Sequence, residues 1–150
     1  MSGQAVLSLL PSGSGKRDSP LARPRVLLAD DHDAVLERTR SLLRNFQVVG
    51  TVNNGRDLVD QALRLQPDVV VLDITMPIKT GIEAAHELRE VGSTAKLVFL
   101  TVHDQPAFLQ ACFAEGALGY VTKSHLGTDL IPAINEALLG HRFISPSVPR

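Results

Sequence analysis

The chain has 150 residues, of which 44% are hydrophobic, and a formal net charge of -1. This composition fits one globular domain with a single core and excludes a disordered or fibrous chain. Because 15 basic residues stand against 16 acidic ones without forming a basic cluster, we expect no direct nucleic-acid binding by this chain.

The cysteine and histidine content narrows the chemistry further. Cys112 is the single cysteine, which excludes an internal disulfide and a cysteine zinc site and fits a reducing cytosol. The five histidines include no pair three or four residues apart, and we interpret them as solvated or locally hydrogen-bonded. No apolar run approaches the roughly 20 residues of a membrane span. The predicted location is therefore the cytoplasm, with no membrane partner.

Residues 1–24 are rich in Ser, Gly and Pro and lack a hydrophobic period, which predicts a flexible leader. From residue 25 onward, five short apolar runs predict β-strands. In chain order they are "RVLLAD", "QVVGTV", "DVVVLD", "AKLVFLT" and "LGYVTK". The segments that follow each strand have the spacing of amphipathic helices.

The predicted strands are continuously apolar rather than alternating. Strands of this kind are buried on both faces, which favours a parallel sheet covered by helices on each side. Five strand–helix units predict an α/β fold: a flavodoxin-like, doubly wound sheet of five parallel strands in the order 2-1-3-4-5. Ligands of such sheets lie outside the carboxyl ends of the strands.

Polar residues lie at the carboxyl ends of four predicted strands. They are Asp30 and Asp31 after the first strand, Asp73 after the third, Thr101 on the fourth and Lys123 after the fifth. In a parallel sheet these side chains converge at one edge. Two carboxylates 4 Å apart repel by about 1 kcal/mol in water and about 4 kcal/mol at an effective dielectric of 20. The cluster therefore requires a cation, and a divalent metal and the Lys123 ammonium both fit.

Oxygen ligands at an open edge suit Mg²⁺, which keeps waters or phosphate oxygens in its other positions. This preference points to phosphoryl chemistry. A carboxylate can accept a phosphoryl group while a metal, a lysine and a hydroxyl stabilise the charge on the equatorial oxygens. Asp73 is the best candidate nucleophile because it stands alone at the end of the central strand.

Four motifs carry a resemblance to a known family. The stretches "LLADDH", "LDITMPIKTG", "FLTVHD" and "GYVTK" resemble the signatures of the response-regulator receiver domain of two-component systems. The resemblance covers residues 25–140, which we predict to form the receiver domain.

The end of the chain carries a second likeness. The stretch "ALLGHRFISPSVPR" is similar to the end of receivers of the NarL/FixJ subfamily, which are joined to a LuxR-type helix-turn-helix output domain. On this basis residues 141–150 are predicted to begin a linker to an output domain that the chain lacks. An excised receiver and a stand-alone protein both remain open at this point.

The resemblance implies a role for each residue at the strand ends. Asp73 is then the phosphoacceptor, and Lys123 pairs with the phosphoryl group. Thr101 is the switching hydroxyl, and Tyr120 is the aromatic residue that turns inward on activation. The implied Mg²⁺ ligands are Asp30, Asp31, Asp73 and the backbone carbonyl of Thr75.

The resemblance also implies a function. The chain is expected to be a phosphorylation-dependent signalling switch that takes its phosphoryl group from a histidine kinase and catalyses only its own phosphorylation and dephosphorylation. Phosphorylation would change the surface of the fourth helix, fifth strand and fifth helix and so control an output, in this case transcription. A homodimer would form through that surface or through the first and fifth helices.

Two departures and three alternatives qualify this expectation. Val102 stands where the family usually has Ala or Gly, which predicts narrower access to the phosphoryl group, and Ser124 stands where many members have Pro. A receiver-like interaction module that works without phosphorylation is the main alternative. A phosphohydrolase of the haloacid-dehalogenase kind is weaker, because Ile74 and Thr75 supply no second acid. A flavodoxin is weaker still, since no phosphate-binding loop follows the first strand.

Overall fold

The computed structural model describes residues 22–149, so the predicted leader lies almost entirely outside the described residues. Strands and helices alternate from Arg25 to the fifth helix. In chain order the elements are β1 (Arg25–Ala29), α1 (Asp33–Leu42), β2 (Gln47–Val52), α2 (Gly55–Leu65), β3 (Val69–Leu72), α3 (Gly81–Glu90), β4 (Lys96–Thr101), α4 (Pro106–Ala114), β5 (Gly119–Thr122), α5 (Leu126–Leu138) and β6 (Phe143–Ile144). A short 3-10 turn, Lys123–His125, joins β5 to α5.

The strands form one parallel sheet in the order β2-β1-β3-β4-β5-β6. The predicted flavodoxin-like fold and the order of its first five strands are confirmed. The predicted number of strands was too small by one, because Phe143–Ile144 add a sixth strand parallel to β5. Two residues are too few to show a hydrophobic period, and their pairing depends on the turn at Gly140, where φ is +82°.

The core lies on both faces of the sheet, as continuously apolar strands require. All residues of β3 are buried, and its side chains alternate between two clusters. One cluster packs under α2, α3 and α4, and the other packs under α1 and α5. Each large aliphatic side chain buried in this way stabilises the fold by roughly 1.5 to 3 kcal/mol. No helix within residues 22–149 is long and apolar enough to cross a membrane.

Helix α3 begins with a capping box. The Thr80 hydroxyl accepts the N–H of Glu83 at 3.1 Å, and the Glu83 carboxylate accepts the N–H of Thr80 at 2.8 Å. These hydrogen bonds satisfy backbone donors that a helix end otherwise leaves without partners. They also hold the pKa of Glu83 below its usual value. The cap fixes where the loop after β3 ends.

Gly81, the first residue of α3, lies directly against the end of β3. Its N–H donates to the carbonyl of Ile74 at 2.7 Å. A Cβ atom at this position would overlap the carbonyl oxygen of Asp73. Only glycine lets the helix start this close to the strand end, so the residue that follows β3 is held by the packing of α3.

We predict that Gly81→Ala lowers the free energy of unfolding by about 1 to 3 kcal/mol, the usual cost of overpacking. Gly127→Ala is the matched control, because Gly127 is exposed in α5 and its new methyl group would meet only the end of the Arg38 side chain. Alanine favours a helix over glycine by roughly 1 kcal/mol, so the control should be at least as stable as the wild type. Chemical denaturation measures both, and equal stability would contradict the close packing of α3 on β3.

Candidate functional site

The carboxyl ends of β1, β3, β4 and β5 meet at one edge of the sheet. Ala29 pairs with Leu72 across β1 and β3, so the residues that follow them, Asp30 and Asp73, emerge side by side. The N–H of Asp73 donates to the carbonyl of Ala29 at 3.0 Å, which continues the ladder to the edge. Both residues are only 3% exposed.

Lys123 lies between these two carboxylates. Its ammonium nitrogen is 2.8 Å from Oδ2 of Asp73 and donates a hydrogen bond to it. The same nitrogen is 2.8 Å from Oδ2 of Asp30 as an ion pair, although that oxygen receives no hydrogen bond of normal geometry within residues 22–149. The lysine side chain is 11% exposed. A single cation thus offsets the charge of two buried acids, which bulk water does not screen effectively.

The burial of this group shifts its proton affinities. Burial raises the pKa of Asp73 above its usual value, the hydrogen bond and charge of Lys123 oppose the shift, and the charge of Asp30 adds to it. For Lys123, burial alone would lower the pKa, but the carboxylates of Asp30 and Asp73 outweigh it and the net pKa is raised. The lysine is therefore charged at neutral pH, whereas Asp73 holds a proton more readily than an exposed aspartate.

The acidic residues form a cluster that could hold a metal ion. One ligand atom each from Asp30, Asp31, His32 and Asp73 lie within 4.8 Å of one another. Three of these donors are carboxylates, the ligands that a hard divalent cation such as Mg²⁺ prefers. Asp31 is exposed while Asp30 and Asp73 are buried, so the cluster opens to solvent on one side. The donor set fits a metal that keeps some of its waters.

His32 is a member of this cluster that the sequence analysis did not single out. Its ring Nδ1 lies 3.0 Å from a carboxylate oxygen of Asp30 and 3.2 Å from one of Asp31. Its backbone N–H donates to the Asp30 carboxylate at 2.9 Å. These contacts agree with the interpretation of the histidines as locally hydrogen-bonded. The sequence analysis did not predict that His32 lies among the acidic residues. Its position directly after two aspartates at a strand end was the signal available in the sequence.

Thr75 contacts the site through its N–H and its hydroxyl. The N–H donates to Oδ1 of Asp73 at 3.4 Å, and the hydroxyl is 3.1 Å from Nε2 of His103. The role of its carbonyl as a metal ligand stays a prediction. The His103 ring also stacks on Phe108 of α4, with the centroids 4.1 Å apart. The loop after β3 and the start of α4 are thus joined by one imidazole ring.

The two predicted switch residues meet at the backbone of His103. Thr101 is fully buried, and its hydroxyl accepts the N–H of His103 at 3.1 Å. Tyr120 is also fully buried and donates its hydroxyl to the carbonyl of His103 at 2.8 Å. Burial raises the pKa of the tyrosine far above its usual value. Tyr120 therefore points into the domain in this structure, and its role as a switch residue stays a prediction.

Val102 and Ser124, the two departures from the family pattern, lie at the mouth of the site. Val102 is 71% exposed. The two residues help to line a cavity of about 190 Å³ beside Lys123. The peptide bond between Lys123 and Ser124 is trans. The predicted effect of Val102 on access to the phosphoryl group stays a prediction.

Comparison with known proteins places the chain in a family. The family model of the response regulator receiver domain matches residues 26–135. The chain belongs to the response regulator receiver family. The resemblance drawn from the four motifs is thereby confirmed, and the receiver accounts for most of the chain.

Individual relatives agree with this assignment. The receiver is 36% identical over 126 residues to the transcriptional regulatory protein DesR of Bacillus subtilis, covering 82% of this chain and 62% of DesR. It is similar to a crystal structure of a LuxR-family two-component response regulator from an Aurantimonas species, with a TM-score of 0.80, 35% identity and coverage of 84% of this chain and 92% of that one.

A second similar structure is the isolated receiver domain of RcsB from Salmonella enterica serovar Typhimurium, solved with the phosphomimetic BeF3⁻. The TM-score is 0.77 at 28% identity, with coverage of 84% of this chain and 96% of that one. The chain thus matches this isolated receiver domain over nearly its whole length, whereas it spans less than two thirds of DesR.

We predict that Lys123→Gln lowers the free energy of unfolding in metal-free buffer at pH 8 by about 1 to 3 kcal/mol, because two buried carboxylates lose their cation. Loss of the cation raises the pKa of Asp73 further. An acid whose pKa is raised in the folded state loses stability as pH rises through that pKa. The destabilisation should therefore be smaller at pH 5 than at pH 8, as measured by urea denaturation.

Lys79→Gln is the matched control for this variant, since Lys79 pairs with Glu87 at the surface of α3. A surface pair contributes less than about 1 kcal/mol. The control should show a small effect that does not differ between pH 5 and pH 8. A Lys123 variant that behaves like the Lys79 variant would refute the electrostatic account of the site.

Proposed function

We propose that this receiver takes a phosphoryl group from the phosphohistidine of a histidine kinase onto Asp73, with Mg²⁺, and thereby changes its α4–β5–α5 surface. The observation that carries the proposal is the position of Asp73. Its carboxylate lies at the carboxyl edge of the sheet, hydrogen-bonded to Lys123 and within a cluster of three further ligand residues. A nucleophile, a fixed cation and a candidate metal site thus occur together.

The transfer can be written as one displacement at phosphorus. A carboxylate oxygen of Asp73 attacks the phosphorus atom and forms the P–O bond. The P–N bond of the phosphohistidine breaks, and its electron pair returns to the imidazole nitrogen, which takes a proton. The Lys123 ammonium neutralises part of the charge on the equatorial oxygens. Hydrolysis of the resulting acyl phosphate by water would return the carboxylate and release inorganic phosphate.

The acidic cluster supports a role for Mg²⁺ in this step. Asp30, Asp31 and Asp73 would hold the ion, with the carbonyl of Thr75 as a further ligand. When bound, Mg²⁺ supplies positive charge to the phosphoryl oxygens and offsets the repulsion among the carboxylates. His32 lies where it would hydrogen-bond the carboxylates of Asp30 and Asp31 and so orient them.

The contacts of His103 suggest how the phosphoryl group would reach the surface. A phosphoryl group adds about -1.5 to -2 charges and three acceptor oxygens. The Thr101 hydroxyl and Lys123 would bind these oxygens, and the backbone of His103, which holds both Thr101 and Tyr120, would follow. Phosphorylation would then favour the inward position of Tyr120, as a shift of a conformational equilibrium. The start of α4 moves with His103 through the stacked Phe108.

The proposed output of the switch is the control of transcription. DesR is named as a transcriptional regulatory protein and the Aurantimonas structure as a LuxR-family response regulator. The partners we propose are the histidine kinase and a second receiver, bound through α4–β5–α5 or through α1 and α5. Catalysis would be limited to the receiver's own phosphorylation and dephosphorylation.

We predict that Asp73→Asn abolishes phosphorylation, since the amide is not a nucleophile toward phosphorus. Incubation with acetyl phosphate and Mg²⁺ should add one phosphoryl group to the wild type, detected as intact mass. Chelation of Mg²⁺ should remove most of the adduct. The matched control is Asp33→Asn, because Asp33 is exposed in the first turn of α1 and lies outside the acidic cluster. This control should be phosphorylated at the wild-type rate.

Two outcomes would contradict the proposal. An acid-labile adduct that persists in a folded Asp73→Asn protein would place the phosphoacceptor elsewhere. No adduct in any folded sample, with acetyl phosphate or with a phosphorylated histidine kinase, would favour an interaction module that works without phosphorylation.

We predict that Mg²⁺ binds the acidic cluster with an affinity that falls as the pH is lowered. The pKa of Asp73 is raised mainly by burial, so a proton competes with the ion at a higher pH than at an exposed aspartate. Asp31→Asn should lower the affinity by about tenfold or more, the cost of losing even an outer partner of a metal. Isothermal titration at several pH values measures both effects, and Asp33→Asn again serves as the control.

A further inference from the structure

Residues 143–148 pack against the folded domain. After the turn at Gly140, the backbone runs back along the outer edge of β5. Two N–H groups of this segment donate to carbonyls on the β5 side at 2.8 and 2.9 Å, and Val148 is buried in the core. We refer to residues 143–148 as the C-terminal strap.

The strap is fastened by a buried polar contact at Ser145. This serine is fully buried, and its hydroxyl donates to a carboxylate oxygen of Asp129 in α5 at 2.7 Å. The same hydroxyl accepts the N–H of Thr122 at 3.1 Å. Asp129 is itself buried, and its other oxygen accepts the hydroxyl of Thr128 at 3.0 Å. A hydrogen bond to a charged carboxylate is among the stronger ones in a protein interior.

The contact lies at the end of β5 that leads to the site. Thr122 is the last residue of β5 and precedes Lys123 directly, and it pairs with Thr101 across β4 and β5. Its hydroxyl is 3.2 Å from that of Ser147 in the strap. The strap thus holds both the backbone and the side chain of Thr122, the residue directly before Lys123. Thr101 lies on the other side of that residue.

We propose that Ser145 is a positioning residue for Lys123. Through it, the packing of the C-terminal strap against β5 and the binding of a phosphoryl group at Asp73 stabilise each other. This inference rests on the function proposed above. The strap fixes the end of β5 and therefore the direction from which the Lys123 ammonium reaches the phosphoryl oxygens. Ser145 itself contacts neither the phosphoryl group nor the metal.

Such a coupling must act in both directions, because binding linkage is reciprocal. If the seated strap helps Lys123 to bind a phosphoryl group, then a phosphoryl group must stabilise the seated strap by the same factor. The position of the strap would then depend on the state of Asp73. This route leaves the site through the end of β5, whereas the contacts of His103 lead to the start of α4.

The test uses beryllofluoride with Mg²⁺ as a phosphoryl mimic. Fluorine NMR titration should show that Ser145→Ala binds it about threefold to tenfold more weakly than the wild type, the usual effect of one lost hydrogen bond. In the wild type, beryllofluoride should slow amide hydrogen exchange at Phe143 and Ser145 by a similar factor. In Ser145→Ala, the amide of Phe143 should exchange faster than in the wild type when no beryllofluoride is present. Beryllofluoride should slow this exchange much less in the variant than in the wild type.

Ser93→Ala is the matched control. The Ser93 hydroxyl also accepts a backbone N–H, that of Ala95 at 3.3 Å, but it lies before β4 at the opposite edge of the sheet. Thermal unfolding checks that both variants fold, and the control should keep the wild-type affinity for beryllofluoride. If Ser145→Ala does not fold, exchange in the wild type decides alone.

Each result has a distinct meaning. A folded Ser145→Ala protein with wild-type affinity, or strap exchange in the wild type that beryllofluoride does not change, would overturn the inference and leave the proposed function intact. A wild type that neither binds beryllofluoride nor takes a phosphoryl group from acetyl phosphate would refute the proposed function, and the inference would fall with it.

Discussion

Three carboxylates meet at one edge of this sheet, and the ammonium of Lys123 lies between the two that are buried. A parallel sheet brings its strand ends together, so the acids cannot be separated without changing the fold. Their repulsion is tolerable only because a cation is held among them. The position of the Lys123 ammonium therefore affects both the stability of this edge of the sheet and the binding of any anion there.

Residues around the site connect it to other parts of the domain. The backbone of His103 binds Thr101 and Tyr120, and its ring joins Thr75 to α4. On the other side, Ser145 holds the end of β5 that leads to Lys123. These contacts are hydrogen bonds and one ring stack that begin next to the site. They are the two paths by which, under the proposals above, a change of charge at Asp73 would reach the surface.

The surface around α4 is partly apolar. The sequence loads this helix with more apolar residues than one core-facing stripe needs, and the structure buries Leu109 and Cys112 while leaving Phe108 and Phe113 half-buried. Burial raises the pKa of the Cys112 thiol to about 12, so it acts as a packing residue. The guanidinium group of Arg142, which follows α5, lies over the Phe113 ring, with its carbon atom Cζ 4.5 Å from the ring centroid.

The sequence alone determined the fold class and the acidic edge. Continuous apolar runs are visible locally, and parallel strands necessarily bring the residues after them, such as Asp30 and Asp73, to one edge. Tertiary structure alone decided the burial of Tyr120 and the sixth strand, which Ser145 holds against β5. These features depend on the packing of particular side chains and on contacts between distant residues, for which no local period or spacing gives a signal.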